Sequence, residues 1–276
     1  MNKTVCRVMV LMLTLLCLQP LTVQGDLLIV GVAPHTSARV ILEMYQPLRH
    51  HLEQQLGMQV DVVTAPDFNA FARRGLSQEF DLAITTGQQA RLLQSDAGYL
   101  PLLTYKADFR AVALVAANSK FRTVASLKGT TALGLSPTSQ VTVWGQHWLQ
   151  DNGLQEVPVK YVSASDSVAQ LLVAGEAAVG FTSLANYQNL QPELRGKLKV
   201  LARSPSMAGR VYLLNKRRAG INKKLEAALW SFAASEAGRQ YFSRYKLEGY
   251  RLLHRTELAS MDRYAAEVRK VLAVTP

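Results

Sequence analysis

The chain has 276 residues, with 31 lysines and arginines against 20 acidic residues and two cysteines, Cys6 and Cys17. Its basic residues are dispersed, as in Arg73-Arg74, Lys216-Arg217-Arg218 and Lys223-Lys224, and no aromatic residues are interleaved with them. This reads as solvated surface with some steering value for anions, and it excludes a nucleic-acid groove.

Residues 1–25 read as a signal peptide. Lys3 and Arg7 form a basic start, Val8 to Leu18 is apolar, and Val23-Gln24-Gly25 precedes a cleavage point before Asp26. A membrane span needs about 18 apolar residues or more, and Gln19-Pro20 interrupts the run. Leu16 stands where lipid attachment at Cys17 would want a small residue. The expected mature chain is therefore exported to the periplasm and carries no thiol, so it forms no disulfide and does no thiol chemistry. Losing Lys3 and Arg7 takes the formal charge from +11 to +9.

Leu27 to Val32 has the apolar run of a buried strand and ends at Ala33-Pro34-His35-Thr36-Ser37. A helix follows from about Ala38, with Leu42, Tyr45, Leu48, Leu52 and Leu56 at helical spacing and Gly57 as its stop. Val60 to Val63 is a second strand, Asn69 to Gly75 a second helix, and Phe80 to Ile84 a third strand ending at Thr85-Thr86-Gly87. Alternation of this kind implies a mostly parallel α/β sheet, which binds ligands at the carboxyl ends of its strands. Pro34 to Ser37, Asp67-Phe68 and Thr85 to Gly87 are such ends.

Arg110 to Ala117 is an apolar strand, after which a second set begins. It comprises a strand at Thr130 to Leu133, a helix through Trp148, a strand at Pro158 to Val162, a helix from Ser165 and a strand at Ala178 to Phe181. Leu198 to Ala202 and Val211 to Leu214 are further strands, and the remainder is helical with aromatic core positions. The expected organisation is two α/β lobes, one of residues 26–110 and 212–276 and one of residues 114–207, joined by strands near Arg110–Val115 and Val211–Leu214.

Between the strand at Thr130 and the helix through Trp148 lies Gly134-Leu135-Ser136-Pro137-Thr138-Ser139-Gln140. A helix starting near Thr138 or Ser139 leaves its first amides without partners inside the helix, beside three hydroxyls. That combination suits a small oxyanion, and it equally suits a simple N-cap. Elsewhere there is no paired nucleophile and base, no phosphate-binding glycine loop and no metal-ligand spacing; His50-His51 face different ways on one helix. Asp81 within an apolar strand reads as structural, and His147 as a core residue. The chain is expected to bind rather than catalyse, with no cofactor and no metal.

Several short motifs together resemble the periplasmic phosphate-, phosphite- and phosphonate-binding proteins of ABC transporters. They are Pro34, Tyr45-x-Pro47-Leu48, Leu56-Gly57, Ala65-Pro66-Asp67-Phe68, Phe80-Asp81-Leu82-Ala83, the Pro137-Thr138-Ser139 loop, Gly175-Glu176 and Ser204-Pro205-x-Met207-x-Gly209. The resemblance implies a two-lobed, type II Venus-flytrap fold with two crossing strands. It also implies that the loop at Thr138-Ser139 grips phosphonate oxygens and that the aromatic at Phe68 lines the cleft. The family's S-T-S-G loop is altered here, with Pro137 and Gln140 in place of its first Ser and its Gly. The His and Asp that hold a ligand amine in some members match Ser165 and Ala178, and the aromatic-Gly closing the third strand has become Thr86-Gly87. The resulting expectation is a monomer that captures a small anionic solute for an inner-membrane ABC permease. Ser136, Thr138, Ser139 and Gln140 would stand on one wall, and Ser37, Phe68, Thr85 and Thr86 on the other. A periplasmic sensor serving a membrane kinase or cyclase is the alternative, and an enzyme on the same fold ranks below both.

Overall fold

The computed structural model describes residues 26–162 and 165–274. The signal-peptide reading of residues 1–25 and the side chain of Ser165 lie outside the described residues. In chain order the first elements are β1 (Leu27–Val32), α1 (Ala38–Leu56), β2 (Gln59–Val63), α2 (Phe68–Leu76), β3 (Leu82–Thr86), α3 (Gly87–Ala97) and β4 (Leu100–Tyr105). Then follow β5 (Ala111–Ala116), β6 (Ala132–Gly134), α4 (Gln140–Asp151), β7 (Val159–Tyr161), α5 (Ser165–Val173), β8 (Val179–Ser183), α6 (Leu184–Asn189), α7 (Pro192–Gly196) and β9 (Leu198–Arg203). The chain closes with β10 (Arg210–Leu214), α8 (Asn222–Ala234), α9 (Glu236–Arg244), β11 (Tyr250–Arg251) and α10 (Asp262–Val274).

The strands form two sheets, ordered β11-β4-β10-β3-β1-β2 and β7-β6-β8-β5-β9. Each contains a parallel trio, β2-β1-β3 and β7-β6-β8, flanked by an antiparallel strand, β10 beside β3 and β5 beside β8. The sheets are thus mixed, because β5 and β10 each enter from the opposite lobe and run against their new neighbours. The passages between sheets, residues 106–110 and 204–209, touch through an antiparallel bridge between Phe109 and Met207. The fold is the expected two-lobed α/β architecture.

Local chemistry explains the element ends. Ser37 caps α1 by accepting from the Val40 amide at 3.4 Å, and Gly57 ends it at φ 70°. Helix α3 and strand β4 have no counterpart in the sequence reading. Gln88 and Gln89 are buried in the first turn of α3, so its inward face is not apolar. Strand β4 contains Pro101, which sits where the register with β10 shifts and where a missing amide is tolerated.

Lobe one carries an apolar core under α1, α8 and α9 that includes Tyr45, Leu48, Phe232 and Tyr241. A second cluster runs from Phe71 and Phe80 in lobe one through Met207 and Ala208 to Trp144 and Phe181 in lobe two, so apolar packing is continuous between the lobes. Helix α10 also straps both, through Arg91–Asp262 and Arg269–Asp96 on one side and Arg263–Asp151 on the other.

At the amino end of the first sheet Asp81 is buried. It accepts from the Ile29 amide at 3.0 Å and from Arg217 and Arg218 at 2.9–3.0 Å. Burial alone would raise this carboxyl; the bonds from Arg218, the Ile29 amide and Arg217 outweigh it and hold the group below its usual range. Asp81 is structural, as read. Arg217 and Arg218, however, are not merely solvated, since both are committed to this carboxylate.

Candidate functional site

The loop after β6 folds over the first turn of α4. Ser139 is the N-cap; it accepts from the Thr142 amide at 3.4 Å, and its own hydroxyl donates to Thr142 Oγ1 at 2.8 Å. The Leu135 amide donates to the same Thr142 oxygen at 2.9 Å, which doubles the loop back onto the helix. This closeness requires Gly134, where a Cβ would stand 2.7 Å from the Thr142 side chain.

Across from it, β3 runs through Thr85 and Thr86 into α3. Thr86 occupies the N-cap position without a side-chain capping bond. The Gly87 amide instead donates to Gln140 Oε1 at 3.1 Å, and Gln140 Nε2 donates to the Ala208 carbonyl at 2.9 Å. Gln88 Nε2 donates to the Thr138 carbonyl at 3.0 Å, and the Thr138 hydroxyl donates to Asn69 Oδ1 at 2.6 Å. A side chain at position 87 would place Cβ 2.5 Å from the Ala208 carbonyl oxygen, so only glycine allows this approach. The amino ends of α3 and α4 therefore meet across the cleft, and their partial positive charges converge.

The expected site residues divide sharply. The side chains of Thr138, Ser139 and Gln140 are buried and already partnered. The Thr85 hydroxyl donates to Gln89 Oε1 at 2.8 Å, and Gln89 Nε2 donates to the Phe68 carbonyl at 2.8 Å, a buried relay that fixes the start of α2. The Phe68 ring packs, partly buried, against the shared core. Ser37 is exposed and serves the α1 cap. Ser136 Oγ and Thr86 Oγ1, in contrast, are buried without a hydrogen-bond partner, as are Gln88 Oε1, Thr182 Oγ1 and His35 Nε2.

His35 and Arg210 were not foreseen as site residues. The His35 Nδ1–H donates to the Ala33 carbonyl at 2.9 Å. Burial, reinforced by the charge of Arg210, pushes this imidazole down to about 3, against the opposing pull of the Ala33 bond. Arg210 opens β10 opposite Thr86. Its guanidinium lies over the Tyr105 ring at 5.6 Å and donates to Tyr45 Oη at 3.4 Å. It forms no ion pair with any acidic side chain among the described residues. Behind it the hydroxyls of Tyr45, Tyr105, Tyr212, Tyr241 and Tyr250 are joined at 2.7–3.3 Å. Burial pushes Tyr105, Tyr212, Tyr241 and Tyr250 up, so these hydroxyls stay protonated beneath the cation. A cavity of about 470 Å³ opens beside Arg210, between Tyr105–Phe109 and the start of α6.

The family described as "ABC transporter, phosphonate, periplasmic substrate-binding protein" matches residues 30–258. No curated protein sequence matches the chain significantly. Among solved structures, XAC2383 from Xanthomonas citri bound to ATP superposes with a TM-score of 0.78 at 17% identity, covering 91% of this chain and 100% of that one. PhnD1 from Prochlorococcus marinus in complex with methylphosphonate gives 0.75 at 13% identity, covering 88% and 98%. A putative sulfonate-binding SsuA from Methylobacillus flagellatus gives 0.62 at 16% identity, covering 91% and 88%. At these identities the superpositions speak for the fold.

Proposed function

The chain belongs to the family of periplasmic substrate-binding proteins of phosphonate ABC transporters, and from that premise we propose that it captures a small phosphonate- or phosphate-like oxyanion between its lobes. The observation that carries this reading is the meeting of two helix amino ends beside Arg210, a part-buried cation that forms no ion pair with an acidic side chain among the described residues. Neutral donors and helix dipoles bind small anions well, and an arginine fork adds charge-assisted bonds.

Ser136 and Thr86 supply hydroxyls, and the first-turn amides of α4 supply N–H donors. Thr138, Ser139 and Gln140 hold the loop in place, with Phe68 and Thr85 fixing the facing wall. The lobes, residues 26–110 with 212–276 and residues 114–207, close around the solute because it touches both. The mature chain works in the periplasm after loss of residues 1–25, as a monomer that hands its ligand to an inner-membrane permease. Ala178 offers no counter-charge, so an amine on the ligand brings no gain.

Isothermal titration with phosphate, phosphite, methylphosphonate and 2-aminoethylphosphonate tests the reading. Binding of at least one amine-free anion with no advantage for the amine supports it. Failure of every anion in the panel to bind overturns it.

A further inference from the structure

The first sheet gathers His35, Thr86 and Arg210 at one end, beyond the carboxyl ends of β1 and β3 and the start of β10. The Ala33 amide donates to the Ile84 carbonyl at 2.9 Å, tying the loop of His35 to the end of β3. Arg210 pairs with Thr86 in the neighbouring ladder. Within this group His35 has a fixed hydrogen-bonding sense. A carbonyl oxygen only accepts, so the bond to Ala33 commits Nδ1 as the donor. In the neutral ring Nε2 is then a lone-pair acceptor, and it is buried without a donor. A second proton on the ring would meet burial and the charge of Arg210. Gln88 repeats the pattern from α3: its amide nitrogen is spent on the Thr138 carbonyl, which leaves Oε1 a buried acceptor without a donor. Buried acceptors without partners are rare and call for a donor.

Resting on the oxyanion reading above, we infer that His35 Nε2 selects a ligand that is both an anion and a hydrogen-bond donor, namely a phosphonate or phosphate species retaining a P–OH group. Arg210 and the helix amino ends take the charged oxygens, and the P–OH donates to His35. A sulfonate of the same shape and charge carries no hydroxyl, so its oxygen lone pairs face the lone pair of Nε2. Sites built to receive a donor reject the analogue lacking it far more strongly than apolar pockets reject a missing methylene.

Methylphosphonate against methanesulfonate, titrated into the full mature chain near neutral pH, tests this with nearly isosteric probes. The expected result is a preference of about a hundredfold or more for methylphosphonate. His35→Gln, whose terminal amide can turn its NH2 toward the ligand, should narrow that gap by admitting the sulfonate. Equal or tighter sulfonate binding by the wild type overturns the inference and leaves the oxyanion reading standing. A preference that survives unchanged in His35→Gln overturns the role of His35. Binding of neither probe, nor of phosphate, overturns both. Should His35→Gln not fold, wild-type titrations at rising pH decide. Methylphosphonate affinity should fall as its second ionisation removes the P–OH, and a constant or rising affinity overturns the inference.

Discussion

The two walls of the cleft differ in how their polar groups are spent. On the loop from Ser136 to Thr142, the side chains of Thr138, Ser139, Gln140 and Thr142 all have partners, and two of them, Thr138 and Gln140, reach Asn69, Gly87 and Ala208 across the divide or along the passage between lobes, while Ser136 Oγ has none. At the end formed by His35, Thr86 and Arg210, His35 Nε2 and Thr86 Oγ1 are buried without a partner, and the Arg210 guanidinium has one long hydrogen bond, to Tyr45, and the face of Tyr105. Polar groups that have found partners contribute to stability and tie the lobes together. Buried groups without them lower stability, and they earn their place only by meeting a ligand. In the proposed site, Thr138 and Ser139 hold the loop, and the anion meets Ser136, the α4 amides and the opposite wall.

The same contrast exists between two charges. Asp81 is buried with two arginines at one end of the first sheet, whereas Arg210 stands at the other end without a carboxylate. Asp81→Asn should cost about 3–5 kcal/mol of stability, because it leaves two guanidinium groups facing a neutral amide, while anion affinity stays unchanged. The folded-state pKa of Asp81 is depressed, so its contribution is complete above the unfolded value of about 4 and is lost as pH falls through the folded value. Urea denaturation of wild type and Asp81→Asn from pH 7 down to pH 3 should show the two converging at the acid end. Parallel curves would remove Asp81 from the account.

Gln140 joins the two walls directly. Its carboxamide oxygen occupies the Gly87 amide, the position that an oxyanion would seek at the start of α3. Gln140→Ala should cost about 1–3 kcal/mol of stability, since the Gly87 amide and Ala208 carbonyl lose their partner. The ligand-free protein should become more open by small-angle scattering, and anion affinity should rise. An unchanged scattering envelope would mean that Gln140 does not hold the lobes.

The smallest effect belongs to the loop hydroxyls. Replacing both Thr138 and Ser139 with Ala removes a cap and a contact between lobes, with an expected cost of about 0.5–2 kcal/mol in thermal unfolding. Anion affinity should stay within about threefold, since each lost charge-assisted bond would instead cost 1.5–3 kcal/mol, tenfold or more. A loss of that size would restore these hydroxyls as ligand donors.

Much of the fold was legible because its signals are local. The apolar runs of β1 and β5, the spacing of α1 and the turn at Gly57 each lie within a few residues and appear where expected, except that Leu42 faces out and Ile41 and Met44 join Tyr45, Leu48, Leu52 and Leu56 on the buried face. The N-cap at Ser139 was equally local. Helix α3 was not legible, because Gln88 and Gln89 break its apolar period, and their burial depends on Thr138 and Phe68, which lie elsewhere in the chain. Arg210 and His35 gain their surroundings only when β10 pairs with β3 and the strand ends converge. The Lys216-Arg217-Arg218 run looked like open surface for the same reason, since Asp81 is more than 130 positions away. Local patterns name caps and strands. They do not show which polar groups will be left without partners once distant strands meet.

If the anion is held at the unpartnered end of the first sheet, Arg210 carries the largest share of its binding. Titration of the best-binding anion into wild type and Arg210→Met should show a loss of about 2–5 kcal/mol, roughly thirtyfold to several thousandfold in Kd. The melting temperature of the ligand-free variant should be unchanged or higher, because a part-buried charge without a carboxylate has been removed. Wild-type affinity in Arg210→Met, with the fold intact, would contradict the account.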